Sequence, residues 1–161
     1  MTFLPFEKFA IESSLKKQDV MIALMKNIEA PKIIRPFWEQ SAGEFEGELK
    51  NNEFEIKRII RYRNSFLPLI KGRVENSGDG TRLIIEMRIN VSAALFMTIW
   101  CGFLALGISW TIIFQDDYEP DSIGIPIAML VFGYVLVMSG YLYEARKAKD
   151  LLLSITQGRI T

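Results

Sequence analysis

The chain has no histidine and a single cysteine, Cys101, among its 161 residues. Without imidazole, the common nucleophile–base pairs cannot be assembled. A His or Cys metal cluster is excluded on residue supply alone. One cysteine forms no intrachain disulfide. Cys101 lies in a long apolar run, where an unreactive packing role is expected. Net charge is also lacking, since 19 Lys+Arg balance 19 Asp+Glu. The opening "MTFLPFEKFAIESS" has no basic region followed by an apolar one, so it does not read as a secretory signal. "SGDG" lacks the spacing and the following lysine of a phosphate-binding loop. No catalytic constellation emerges, and neither an enzyme nor a cofactor is expected.

What is present is apolar sequence, concentrated toward the C-terminus. Half the residues are hydrophobic. Residues 91–114, "VSAALFMTIWCGFLALGISWTIIF", carry no charge, and neither do residues 122–143, "SIGIPIAMLVFGYVLVMSGYLY". As helices they are roughly 36 and 33 Å long at 1.5 Å per residue. A hydrocarbon core is about 30 Å thick. Both predict transmembrane helices. The alternative, a buried hairpin in a soluble domain, needs a much larger domain to cover it.

The connecting segment 115–121, "QDDYEPD", holds four acids and no cation. Arg82 and Arg88 precede the first span; Arg146, Lys147 and Lys149 follow the second. Lys and Arg near span ends stay on the cytoplasmic side. The expected topology has both termini in the cytoplasm and a short acidic loop outside. Trp110 and Tyr118 suit the outer interface, Tyr141 and Tyr143 the inner one. The cytoplasmic portion then holds 19 cations and 15 acids, so neutrality hides a surplus of positive charge inside.

The first 90 residues are expected to form a small cytoplasmic α+β domain. Met21, Leu24, Met25 and Ile28 recur at i, i+3, i+4 and i+7, which predicts an amphipathic helix over 16–28. Ser13 or Ser14 is positioned to cap it, and Pro31 lies beyond its end. From Gly43 the period becomes two. "EFEGELK", "FEIKRIIRY", "FLPLIKGRVE" and "TRLIIEMRIN" predict four strands in an antiparallel meander. Asn51-Asn52, Asn64-Ser65 and "NSGDG" supply the turns. Pro68 suggests an edge or a bulge. The helix is expected to cover the sheet's apolar face. Only Asn90 separates the last strand from the first span, so motion of the sheet can pass mechanically to it. Residues 144–161 predict a C-terminal cytoplasmic helix that continues the second span, with Ala145, Ala148, Leu152 and Ile155 on one stripe and Gly158 ending it.

One stretch concentrates positive charge. "KRIIRYRNSFLPLIKGR", residues 57–73, has six cations and no acid. The meander puts Lys57, Arg61 and Arg63, then Lys71 and Arg73, then Arg82 and Arg88 on the polar face of three adjacent strands. That is a footprint for phosphates. Tyr62 suits stacking on a base. Arg58 falls on the apolar face with Phe54, Ile56 and Ile60, either snorkelling or reaching a ligand or subunit. Three readings stay open: a polyanion such as an oligonucleotide, anionic lipid headgroups, or pairing with nearby acids. Glu44, Glu46 and Glu48 share a strand face, as a cation site or as partners of Lys57 and Arg61. Asp116, Asp117, Glu119 and Asp121 are either a cation-attracting pore mouth or a consequence of topology.

Within the spans, Ala94, Thr98, Cys101, Ala105 and Ser109 share one stripe, and Gly133 and Gly140 stand seven apart. Small residues let membrane helices approach closely. Two spans bury little alone, so a homo-oligomer is expected, taken as a tetramer. A ring of hairpins encloses a pore lined by Thr98 and Ser109, with apolar residues as a dewetting gate.

This layout, with two spans, both termini inside, a small cytoplasmic domain and the basic run "KRIIRYRN", resembles the small two-span membrane effectors of bacterial anti-phage systems. It is most similar to the transmembrane effector of Hailong-type defence. The resemblance implies an oligomeric inner-membrane pore held closed by a single-stranded DNA oligomer made by a partner nucleotidyltransferase. The competing expectation is a non-enzymatic membrane-anchored scaffold or accessory subunit.

Overall fold

A computed structural model describes residues 4–31, 43–114 and 120–161. The chain is α+β, with one mixed sheet and two long apolar helices. In chain order the elements are β1 (Phe6–Ser13), α1 (Lys17–Asn27), β2 (Ile28–Glu29), β3 (Phe45–Lys50), β4 (Glu53–Arg58), β5 (Leu69–Ser77), β6 (Gly80–Arg88), α2 (Val91–Phe114), α3 (Pro120–Thr156) and β7 (Gly158–Ile160).

The sheet has seven strands in the order β2-β3-β4-β5-β6-β1-β7, so four strands is a correction. Neighbours from β3 to β6 run antiparallel. The additions are β1, paired along its whole length with β6; β7, paired with β1; and the two-residue β2, parallel to β3. Asn51, with φ of 55°, begins the two-residue turn between β3 and β4. Gly78, also at positive φ, turns β5 into β6.

Alternation along the strands builds the core. Ile11, Phe45, Phe54, Ile56, Ile70, Val74, Leu83, Ile85 and Met87 are all buried on one face. Two helices cover that face. From α1 come Val20 and Leu24; Met25, expected on the inward stripe, is exposed instead. Neither serine caps α1. Its N-cap is Lys16, without a side-chain bond, while the Ser13 hydroxyl donates to Thr156 O and accepts from Leu15 N. The larger cover is the C-terminal half of α3, which seats Tyr141, Ala145, Ala148 and Leu152 in the core.

Residues 144–156 continue the second apolar segment, and the helix ends at Thr156. A single 37-residue helix begins in apolar sequence and ends against the sheet. Gln157, at φ of 49°, ends it and turns the chain into β7. Tyr141, expected at a membrane interface, is fully buried, and its hydroxyl donates to Met87 O at 3.0 Å.

By length and composition α2 and α3 can each cross a membrane. Their apolar side chains are mainly exposed, with Phe103 74% and Phe132 67% accessible. A helix in the core of a soluble domain buries such residues. Apolar faces this broad and uncovered fit a lipid environment.

Candidate functional site

The cations of residues 57–73 go to three different places. Lys57, Lys71 and Arg73 lie on the outer face of the sheet, with Arg82 and Arg88. The same face is rich in acids, and the strand register interleaves them. Lys8, Glu86, Lys71 and Glu55 stand in one row across β1, β6, β5 and β4. Arg159, Glu12, Arg82 and Glu75 form another across β7, β1, β6 and β5. Lys57 reaches Glu46 at 2.9 Å, Lys71 reaches Glu55 at 2.6 Å, and Arg73 reaches Glu53 at 2.7 Å. A hydrogen bond from Lys50 to Glu48, with the charge of that carboxylate, raises the Lys50 pKa above its ordinary value.

Counted over the described residues, the face carries eight cations (Lys8, Lys50, Lys57, Lys71, Arg73, Arg82, Arg88 and Arg159). It carries eight acids (Glu12, Glu29, Glu46, Glu48, Glu53, Glu55, Glu75 and Glu86). Opposite charges directly across strands stabilise a sheet surface. A polyanion laid on it meets as many carboxylates as cations.

Arg58 and Tyr62 are held elsewhere. Arg58 is on the inward face of β4, beside Phe54 and Ile56, with its side chain 14% exposed. It donates from Nε at 2.8 Å and from Nη2 at 2.6 Å to one oxygen of Glu144, a fully buried carboxylate on α3. The Tyr62 hydroxyl donates to the other oxygen. Charge-assisted hydrogen bonds of this kind are the strong ones. Arg58 is therefore paired and does not snorkel in this arrangement, whereas Tyr62 has its hydroxyl engaged and its side chain exposed. Glu144 was not singled out in the sequence, although it is an acid on the otherwise apolar Tyr141–Ala145–Ala148 stripe.

Arg61 and Arg63 depart from the expected strand, because β4 ends at Arg58. They are exposed in the β4–β5 connection. Neither makes an ion pair among the described residues. That connection is pinned to α3: Asn64 Nδ2 donates to Gly140 O at 3.1 Å, and Asn64 Oδ1 accepts from Phe66 N at 2.9 Å. It therefore lies at the end of the sheet nearest the apolar helices. No protein-family model, curated protein or solved structure matches this chain.

The small residues of the apolar helices divide in use. Gly133 faces α2, where a Cβ would stand 3.5 Å from Met97 Cε and 3.7 Å from Trp100 Nε1. Gly140 faces Phe66 and Asn64 of the β4–β5 connection. Both serve packing within one chain. On α2 the side turned toward α3 includes Ala93 and Leu104, both buried. The stripe Thr98, Cys101, Ala105 and Ser109 is exposed, and Ala94 is half-buried. At 100° per residue the stripe lies roughly a quarter-turn from the buried side. Thr98 and Ser109 hydroxyls donate to Ala94 O and Ala105 O, each at 2.9 Å. Asp116, Asp117 and Glu119, the acids expected at a pore mouth, lie outside the described residues, as does Tyr118; of Asp121 only the backbone is described.

Proposed function

We propose that the protein is a non-enzymatic membrane effector of the bacterial inner membrane. Both termini and the sheet domain face the cytoplasm, and copies assemble through the exposed Thr98–Cys101–Ala105–Ser109 stripe. In this reading the assembly is a ligand-gated pore that compromises the membrane, as in anti-phage defence. The observation that carries it is the continuity of α3. One helix is both the second apolar segment and a buried element of the sheet core, and Glu144 ties β4 to it. A force on the sheet is delivered to the membrane segment without a flexible linker. Arg61 and Arg63, exposed beside the Asn64–Gly140 anchor, are the cations best placed to take a phosphate-rich ligand such as a single-stranded oligonucleotide.

A second reading is a membrane-anchored scaffold or accessory subunit. Equal numbers of acids and cations on the outer face favour it, since a neutral mixed-charge surface suits a protein partner better than a polyanion.

Expression in bacteria loaded with a potential-sensitive dye decides between them. The effector reading expects depolarisation and growth arrest when the chain accumulates. Unchanged potential with the protein in the membrane fraction supports the scaffold.

A further inference from the structure

The outer face of the sheet balances its cations with acids. The end of the domain nearest the apolar helices does not. Residues 56–74 include no acid, and the one acid of residues 122–149 is Glu144, which is fully buried. Arg61 and Arg63 on the β4–β5 connection and Arg146 on α3 are exposed and make no ion pair among the described residues. Lys147, also exposed, donates to the Tyr143 hydroxyl instead of to a carboxylate. The fold brings these residues together. Tyr62 donates to Glu144, the residue next to Tyr143, across 82 positions of sequence. Arg58, which binds the same carboxylate, lies within electrostatic reach of Tyr143. Four cations, Arg61, Arg63, Arg146 and Lys147, thus surround two half-exposed tyrosines, Tyr62 and Tyr143.

Height along α3 decides the partner. Asn64 Nδ2 donates to Gly140 O, and Phe66 lies against Gly140. Gly140 belongs to the charge-free run 122–143, so the connection meets α3 where its apolar segment ends. Lys147 lies one turn beyond Tyr143, about 6 Å along the helix at 1.5 Å per residue. Headgroups occupy about 5–8 Å on each side of the hydrocarbon core. Arg146 and Lys147 fall in that layer, and the Asn64 bond holds Arg61 and Arg63 beside it. Tyrosines, with an apolar ring and a polar tip, suit the same layer. Each Lys or Arg there strengthens attraction to an anionic leaflet about fivefold. We infer that the β4–β5 connection and the turn of α3 beyond Tyr143 form a collar that seats the sheet domain on anionic phospholipid headgroups of the cytoplasmic leaflet. This rests on the membrane-spanning part of the proposed function, not on pore formation or a soluble ligand. A phosphate-rich ligand taking Arg61 and Arg63 would compete with the leaflet for them.

The test is limited trypsin digestion of the full chain in nanodiscs of phosphatidylcholine, alone or mixed with phosphatidylglycerol, with the cleaved bonds read by mass spectrometry. Phosphatidylglycerol should slow cleavage after Arg61 and Arg63 by about tenfold. High salt should restore it by screening. Cleavage after Lys50, beside the β3–β4 turn at the other end of β4, should be equal in both discs and serves as the control. Arg146→Gln with Lys147→Gln alters only exposed side chains and leaves both scissile bonds unchanged, yet should remove most of the protection. Full protection of that variant overturns the proposal, as do equal cleavage rates in the two discs or protection that high salt leaves untouched. The salt series on the parent chain decides if the variant fails to insert. Protection by single-stranded DNA in phosphatidylcholine discs, with none from phosphatidylglycerol, gives the collar to a nucleic acid and overturns the lipid. Phosphatidylglycerol protection without depolarisation in cells keeps the collar and removes the pore. Failure to enter discs of either composition removes the membrane-spanning reading and the collar together.

Discussion

Arg58 and Glu144, 86 residues apart, share two hydrogen bonds inside the interface between β4 and α3. Each is a charge on an otherwise apolar surface, and each makes the other tolerable. Removing one leaves the other buried and uncompensated, which costs about 3 kcal/mol or more. Arg58→Ala or Glu144→Gln should therefore lower the thermal unfolding midpoint of the detergent-solubilised protein clearly. Replacing the pair together, as Arg58→Met with Glu144→Leu, should recover most of the loss, because a buried ion pair is seldom worth more than good apolar packing. Singles with wild-type midpoints would show that the pair does not hold β4 to the helix.

Gly72 lies opposite Phe54 in the β4–β5 register, and a Cβ at Gly72 would overlap the Phe54 ring. The aromatic ring fills the space that the glycine leaves. Gly72→Val should destabilise the sheet by about 2 kcal/mol through overpacking. Phe54→Leu in the same chain should relieve part of that penalty, as expected for neighbours in contact. Simple additivity of the two changes in chemical denaturation would refute the packing relationship.

Gly133 makes the close approach between α2 and α3. Alanine there reaches only ordinary contact distance from Met97 and Trp100. Gly133→Ala should be tolerated, whereas Gly133→Leu should part the helices at a cost of about 1 kcal/mol. With Trp38 and Trp110 replaced by phenylalanine, Trp100 emission reports the change directly. A spectral shift with leucine but not alanine is expected. Gly102→Leu, where nothing lies within 4 Å, leaves the hairpin intact and serves as the control.

These residues also mark what was legible in the sequence. Strand alternation and the charge-free runs located β3 to β6, α2 and the start of the long helix, because period and length are local properties. β1 was missed because "FEKFAIES" puts Glu7 on the inward row and Phe6 on the outward one, which blurs its alternation. Glu7 is accommodated by Lys149 of α3, a partner 142 positions away. Arg58 stood out as a cation on the wrong face, but its partner required knowing that α3 folds back along the sheet. Two misplaced charges of opposite sign, Arg58 on a strand and Glu144 on a helical stripe, were the available signal. The cluster of cations left three readings open for the reverse reason. Its neutralising acids sit on other strands, so the balance exists only once the register is set.

That balance makes the oligonucleotide reading sharply testable. Lys71 and Arg73 are paired across strands, while Arg61 and Arg63 are exposed and make no ion pair among the described residues. If a single-stranded oligonucleotide binds, Arg61→Glu with Arg63→Glu should abolish its retention in a filter assay. Lys71→Gln with Arg73→Gln should weaken it far less, because those cations already have carboxylate partners. Log affinity should fall linearly with log salt, with a slope near −0.7 per phosphate contacted on a single strand, so two contacts give about −1.4. No retention by the parent protein, or retention unaffected by the Arg61 and Arg63 changes, removes the oligonucleotide from the mechanism and leaves the two arginines to the membrane surface.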